Sequence, residues 1–373
     1  MTSKGTAAGL VDWRTVERLT ALIPAGPSAS RSARASSVAV LRRSALEAPA
    51  WVARITGLNR AAQQVAETTR VSVVDRAGLV RVSTRALRGL MEQVPAPQAS
   101  EAVRLVGAAE MAGAMSLLAT RLLGQVVPAA GTGADGDVGR EGEASPHLLL
   151  VAPNVLAMRR QLDLDMLDLP AWVCLHEMTH AVQLAAAPWL GPYLSDSMRM
   201  VIGAVVEAVY GGPGGGADGT GEQGLRRRPG RAARIAARAG RGRVLEGLTN
   251  FKERSEVASL AAALTFLEGH AEVVLDDVHP NRMPSVHRLR AVLSRSRAAD
   301  AGIGPGPGLG SLLLHRLMGL EAKEAQYADG TAFVRSVVAR IGHEGLNVVW
   351  TDPALLPTPA EIARPDVWVR RVG

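Results

Sequence analysis

Apolar residues recur at three- and four-residue intervals through much of the chain. Between residues 100 and 123 they fall at Val103, Leu105, Val106, Met111, Met115, Leu118 and Leu122, the spacing that lines one face of an α-helix. The same period predicts helices over 169–186, 195–210, 244–278, 312–328 and 331–341. Strand signals are few. They are 71–74, read as a hairpin with 80–82 across the turn Asp75-Arg76-Ala77-Gly78, and 147–151. The pattern predicts an α+β fold that is predominantly helical.

Two low-complexity stretches, 129–146 and 211–224, interrupt these segments, and the second runs into an arginine cluster. Both read as flexible loops. The 373 residues can bury one large core or two smaller ones, but the glycine-rich stretches interrupt what the motifs on either side suggest is one site. We therefore expect a single unit over 1–373, with an N-terminal helical portion (1–128), a metal-site portion (147–373) and a flexible Gly/Arg-rich insertion at 211–243. Cys174 is the sole cysteine and the N-terminus has no basic start followed by an apolar run, so a reducing, cytoplasmic location is expected. Apolar runs such as 257–267 reach about half of the ~20 residues that a bilayer crossing needs, and no membrane span is expected.

The formal charge of +7 invites a nucleic-acid partner. Eight of the positive charges, however, are arginines between Arg226 and Arg243, and the remainder of the chain is nearly neutral. Aromatic residues make up only 3%, too few for stacking on single strands. A nucleic-acid partner is not expected, and the cluster reads as a solvated segment. GTGADG and GGGADG match the dinucleotide fingerprint in form but lack the strand and helix that would aim backbone amides at a pyrophosphate.

The predicted helix 169–186 contains His176-Glu177-Met178-Thr179-His180, an HExxH motif. Residues four apart on a helix share a face, so both imidazoles can reach one cation. Glu177, about 100° around the axis from His176, can stand beside an open coordination position and accept a proton from water there. The flanking Trp172, Val173, Leu175, Met178 and Val182 make the helix a buried one, and buried imidazoles require partners. A zinc ion, Zn2+, answers that requirement.

A hydrolytic zinc site needs a third protein ligand and one open position. The metzincin extension would place Gly at 183 and His at 186, where this chain has Gln183 and Ala186. An acid from the apolar helix 257–278 is the alternative. There Glu268 can ligate, and Glu272, one turn on, can accept the spare N–H of a ligand histidine. Gly269 would let another backbone approach closely. His270 points about 160° away from Glu268 and is a weaker ligand candidate. Cys174 reads as a small core residue. Tyr193 is a weak oxyanion candidate, named for its closeness to the motif in sequence.

Several stretches together resemble the zincin-like metallopeptidase type 2 family, a group that includes candidate hydrolases named for association with coenzyme F-420 biosynthesis. They are VDWRTVERL from Val11, VVDRAG from Val73, LLLVAPNV from Leu148, WVCLHEMTHAVQ from Trp172, LEGHAEVVLD from Leu267, GLEAKEAQY from Gly319 and the tail from Leu346. The resemblance implies a zincin-like fold, with His176, His180 and Glu268 at the metal positions and Glu177 as the catalytic glutamate. It supplies no substrate. The function expected is a zinc-dependent hydrolase of peptide or amide bonds; the alternative is a metal-stabilised, non-catalytic scaffold that meets a partner.

Overall fold

The computed structural model describes residues 5–127, 146–210, 251–299 and 324–373. The arginine cluster, most of both low-complexity stretches and the greater part of the predicted helix 312–328 lie outside the described residues. In chain order the elements are β1 (Gly5–Thr6), α1 (Trp13–Thr20), α2 (Arg31–Thr56), α3 (Asn59–Thr68), β2 (Arg70–Val74), α4 (Arg76–Glu92), β3 (Pro95–Ala96), α5 (Glu101–Arg121), β4 (Gly124–Val127) and β5 (His147–Val151). They continue with α6 (Ala152–Gln161), α7 (Asp168–Ala186), α8 (Leu190–Tyr210), α9 (Phe251–Asp276), α10 (Val286–Ala299), α11 (Glu324–Leu346), α12 (Pro359–Ile362) and α13 (Pro365–Val372). The architecture is α+β and predominantly helical.

The hairpin expected at 71–82 does not form. Asp75 caps a helix instead: its carboxylate accepts the Gly78 N–H at 2.6 Å, and Val80 to Val82 lie inside α4. An Asp followed by a helix-compatible run satisfies orphan N–H groups as an N-cap as readily as it begins a turn. The strand at 71–74 is real, but its partner is distant. β2 pairs in parallel with β5, Arg70 opposite His147 through Val74 opposite Val151. β4 pairs antiparallel on the other side, Gly124 opposite Leu150.

The order β2-β5-β4 makes β5 the central strand, and all five of its residues are buried. Its alternation divides the core. Leu148 and Leu150 join one apolar cluster with α2 and α7, whereas Leu149 and Val151 join a second with α4 and α5. Small residues on α2, Ala45 and Ala48, are buried beside Leu41 and Val52 in the first cluster, which lets α2 approach α7 closely.

A third cluster forms around Phe266, Phe333, Trp350 and Trp368. It holds the C-terminal tail against α9 and α11. The Trp189 indole N–H donates to the Trp350 carbonyl at 3.0 Å and that of Trp368 to the Leu355 carbonyl at 2.8 Å. Asn347 donates to the Thr56 carbonyl at the end of α2 at 2.7 Å, so the tail is tied to the N-terminal helices. The predicted stretch 331–341 ends where α11 breaks, at Gly342, whose φ is 69°.

By length and composition alone, Glu101–Arg121 and Ser255–Asp276 are apolar enough to cross a membrane. Counting only uninterrupted apolar runs in the sequence overlooks them, because their apolar residues are spread among a few polar ones. Two thirds of the apolar window of Ser255–Asp276 is buried inside the fold, and α5 buries Ala108, Met115, Leu118 and Ala119 in the second cluster.

α9 and α11 touch backbone to backbone. A Cβ at Gly269 would lie 2.3 Å from the Gly330 carbonyl carbon, and one at Gly330 would lie 2.2 Å from the Thr265 carbonyl oxygen. The close approach anticipated for Gly269 therefore occurs, with Gly330 as its counterpart. Gly269→Ala should destabilise the protein in urea unfolding by about 1–3 kcal/mol through overpacking. Gly113→Ala, on α5 with nothing within 4 Å, should be neutral or stabilising by about 0.5–1 kcal/mol. Equal effects from the two would contradict the glycine crossing.

Candidate metal centre

α7 is buried almost all the way round, from Leu169 to Gln183. It lies among α2 and α3, the strands β4 and β5, and α9, the situation of a helix without a polar face. Its N-terminus is fixed by two aspartates. Asp165 accepts from the Leu167 and Asp168 amides at 2.7 and 2.9 Å. Asp168 accepts from the Ser285 amide and hydroxyl at 2.7 and 2.6 Å, anchoring α7 to the segment that opens α10.

His176 and His180 project from α7 toward α9. Their rings stand perpendicular, centroids 4.8 Å apart, and their Nε2 atoms face one another at 3.3 Å. Glu268 of α9 divides its carboxylate between them, with Oε2 at 3.5 Å from His176 Nε2 and Oε1 at 3.6 Å from His180 Nε2. These are the residues that the described chain brings together as a possible metal-holding group. The separations carry information. Tetrahedral bonds of about 2.0–2.2 Å put neighbouring ligand atoms about 3.3–3.6 Å apart, while hydrogen bonds would be shorter than the two carboxylate distances. The donor set thus fits a zinc ion.

The other nitrogen of His176, Nδ1, lies 3.8 Å from Glu272 Oε1. Glu272 is therefore on the side expected of it, one turn beyond Glu268, at a distance longer than a hydrogen bond. Glu177 is buried and lies over the first residue of β4: a Cβ at Gly124 would come within 2.6 Å of its Cγ and 3.0 Å of its Oε1. The strand admits the carboxylate because residue 124 has no side chain. Tyr193 lies near the start of α8. Its ring packs on Trp189 with centroids 6.2 Å apart and its hydroxyl bonds to Ser197.

Two further side chains join the group. Gln183, buried one turn after His180, accepts from His180 Nδ1 through Oε1 at 2.9 Å and donates through Nε2 to the Leu267 carbonyl at 2.9 Å and to His270 Nδ1 at 3.0 Å. His270 is fully buried among Phe266, His343 and Trp350. In the sequence Gln183 counted only against a metzincin extension, although its i+3 spacing from His180 was a usable signal. Nothing in the sequence marked Gly124. Cys174 is a core residue, its thiol directed at the Leu41 carbonyl at 3.5 Å.

The electrostatics follow from burial and convergence. Burial pushes Glu177 up to about 7, with Glu268 adding to the rise and the imidazoles opposing it. Burial works against charge on His180, but the Glu268 carboxylate outweighs it and raises His180 to about 9. Burial likewise opposes charge on Glu268, and His180 and His176 outweigh it, holding it below the usual carboxylate range. Burial lowers His270 to about 3, aided by His343 and His180, and keeps it neutral.

A family model described as Zincin-like metallopeptidase matches residues 11–369. The fold is also similar to that of a crystal structure described as a candidate hydrolase with a novel fold from Chloroflexus aurantiacus, with a TM-score of 0.58 and 22% identity over 97% of this chain and 98% of that one. No match is found among the curated proteins.

A pH dependence of the metal-free protein follows. Glu177 is raised from 4.5 to about 7 and His180 from 6.5 to about 9. Groups with raised folded values bind protons more tightly when folded, so their contribution is complete below the unfolded values and is lost as pH climbs through the folded ones. His270, lowered from 6.5 to about 3, acts with the opposite sign below about pH 6.5, so thermal melts of chelator-treated protein should show stability nearly level between about pH 5 and 6.5 and falling between about pH 6.5 and 9. Glu177→Gln should uncover the rise in stability that His270 contributes between about pH 5 and 6.5, and superimposable profiles for the two proteins would contradict the assignment.

Proposed function

Because the chain belongs to the zincin-like metallopeptidase family, we propose that it is a zinc-dependent hydrolase that cleaves peptide or amide bonds. The observation that carries this reading is the set of 3.3–3.6 Å separations among His176 Nε2, His180 Nε2 and the Glu268 carboxylate. They suit three ligands of one tetrahedral ion. Among the described residues no fourth His, Cys, Asp or Glu joins the three. That favours an open position for water or substrate over the closed four-ligand set of a structural zinc, and so favours catalysis over the scaffold reading.

In this reading His176, His180 and Glu268 hold the ion, and Glu272 stands behind His176 to orient its Nδ1–H. Zinc, when bound, polarises a carbonyl and makes water a nucleophile near neutral pH. Glu177 takes the proton of the attacking water and returns it to the departing amine. Its elevated proton affinity suits a group that must both accept and release a proton near neutrality. The carboxylate is held over Gly124, at the start of a strand that pairs on one side with β5. Among the described residues β4 is the last strand of its sheet on the side away from β5.

The chain functions in this account as one unit, since the N-terminal helices α2 and α3 pack on the motif helix. A cytoplasmic location accords with a lone cysteine buried in the core. The coenzyme F-420 association rests on the resemblance of the sequence stretches and names no substrate.

Incubation of the zinc-loaded protein with an unfolded-protein digest, read by mass spectrometry for new termini, tests the reading. Glu177→Gln should bind zinc normally and lose about 10²–10⁴-fold in rate. Gly124→Ala, whose methyl group would displace the Glu177 carboxylate, should lose rate with zinc content intact. A Glu177→Gln protein that cleaves as fast as wild type at equal zinc content would end the general-base role.

A further inference from the structure

We infer that Gln183 is a positioning residue of the centre: its amide locks the His180 imidazole with Nδ1 protonated and Nε2 bare, and clamps α9 at the residue before Glu268. The inference rests on the zinc reading for its purpose, but the hydrogen-bond pattern that carries it does not.

Donors and acceptors fix the orientation of the Gln183 amide. The Leu267 carbonyl can only accept, so the Gln183 atom 2.9 Å from it is the amide nitrogen. The amide oxygen must then be the atom that faces His180 Nδ1 at 2.9 Å. An amide oxygen can only accept, so His180 Nδ1 carries a proton. When the imidazole is neutral, its lone pair is consequently on Nε2, the atom that faces His176 and Glu268. The second hydrogen of the amide nitrogen goes to His270 Nδ1 at 3.0 Å, which must therefore be unprotonated. A neutral, buried His270 meets that need.

One side chain thus performs two tasks. Rotating the Gln183 amide by 180° would set two donors, the His180 N–H and the amide nitrogen, face to face and leave two acceptors, the Leu267 carbonyl and the amide oxygen, opposed. The anchoring carbonyl belongs to Leu267, so the bond that orients a histidine of α7 also fixes the height of Glu268 on α9. Gln183 is buried, so water cannot readily replace these bonds.

The test uses the full chain labelled with ¹⁵N-histidine, and reads the affinity for zinc by competition with a chromogenic chelator together with the imidazole N–H resonances. In wild type, His180 should show a slowly exchanging Nδ1–H. Gln183→Met, similar in volume but without the amide, should lose that resonance and bind zinc about 10–100-fold more weakly. His270→Phe leaves the Leu267 and His180 bonds of Gln183 in place, so it should lower thermal stability while preserving both the resonance and the zinc affinity. If Gln183→Met does not fold, Gln183→Glu, which keeps an oxygen for His180, takes its place and should retain the resonance; its loss would overturn the assignment. Wild-type zinc affinity in Gln183→Met, or an equal loss of affinity in His270→Phe, would overturn it as well. A wild type that takes no zinc would remove the metal reading alone. The Nδ1–H resonance of the metal-free protein then decides the matter: its presence in wild type and loss in Gln183→Met support the lock, and its absence from wild type refutes it.

Discussion

The burial of three ionisable side chains at the junction of α7 and α9 is the constraint around which the rest of the structure is arranged. His176, Glu177 and Glu268 are each at most 6% exposed, and an isolated charge at such depth costs several kcal/mol or more. Each is tolerable only because the others are near. That mutual dependence needs two helices, 84 residues apart between Gln183 and Leu267, to meet with ångström accuracy, and the surrounding fold supplies it. α7 is held at its start by the Asp168–Ser285 bonds and along its length by α2 and β5. α9 is held from behind by α11 through the contact of Gly269 with Gly330.

The same constraint explains why glycines appear beside the chemistry. Gly269 lies next to Glu268 on the helix, and its missing side chain lets α11 support α9 at the level of the candidate ligand. Gly124 opens the start of β4 to the Glu177 carboxylate. In both places a methyl group would occupy space already taken, by backbone in one case and by the Glu177 carboxylate in the other. Polar order is imposed in a comparable way by Gln183, which converts the one-directional chemistry of a helix carbonyl into a fixed orientation for His180.

Much of this was legible in the sequence because it is local. The HExxH spacing lies on one helix, the 3.6-residue period locates α5 and α7 to within a residue or two, and the acid pair Glu268 and Glu272 lies on one face of another helix. What was not legible depends on long-range pairing. The 80–82 stretch carries valines at strand-like spacing, yet Asp75 caps a helix there and β2 finds its partner in β5, 77 residues on from Arg70 to His147. No period or motif announces that Gly124 will face Glu177, since that contact exists only once β4 lies along α7. Gln183 is intermediate: its spacing from His180 was visible, but its partners on α9 were not.

The most direct measurement is anomalous diffraction at the zinc absorption edge from crystals of the zinc-loaded protein. The account predicts a single strong peak about 2.0–2.2 Å from His176 Nε2, His180 Nε2 and a Glu268 oxygen. A zinc ion bound elsewhere, or one held by the histidines with Glu268 beyond bonding range and no other acid in its place, would contradict it.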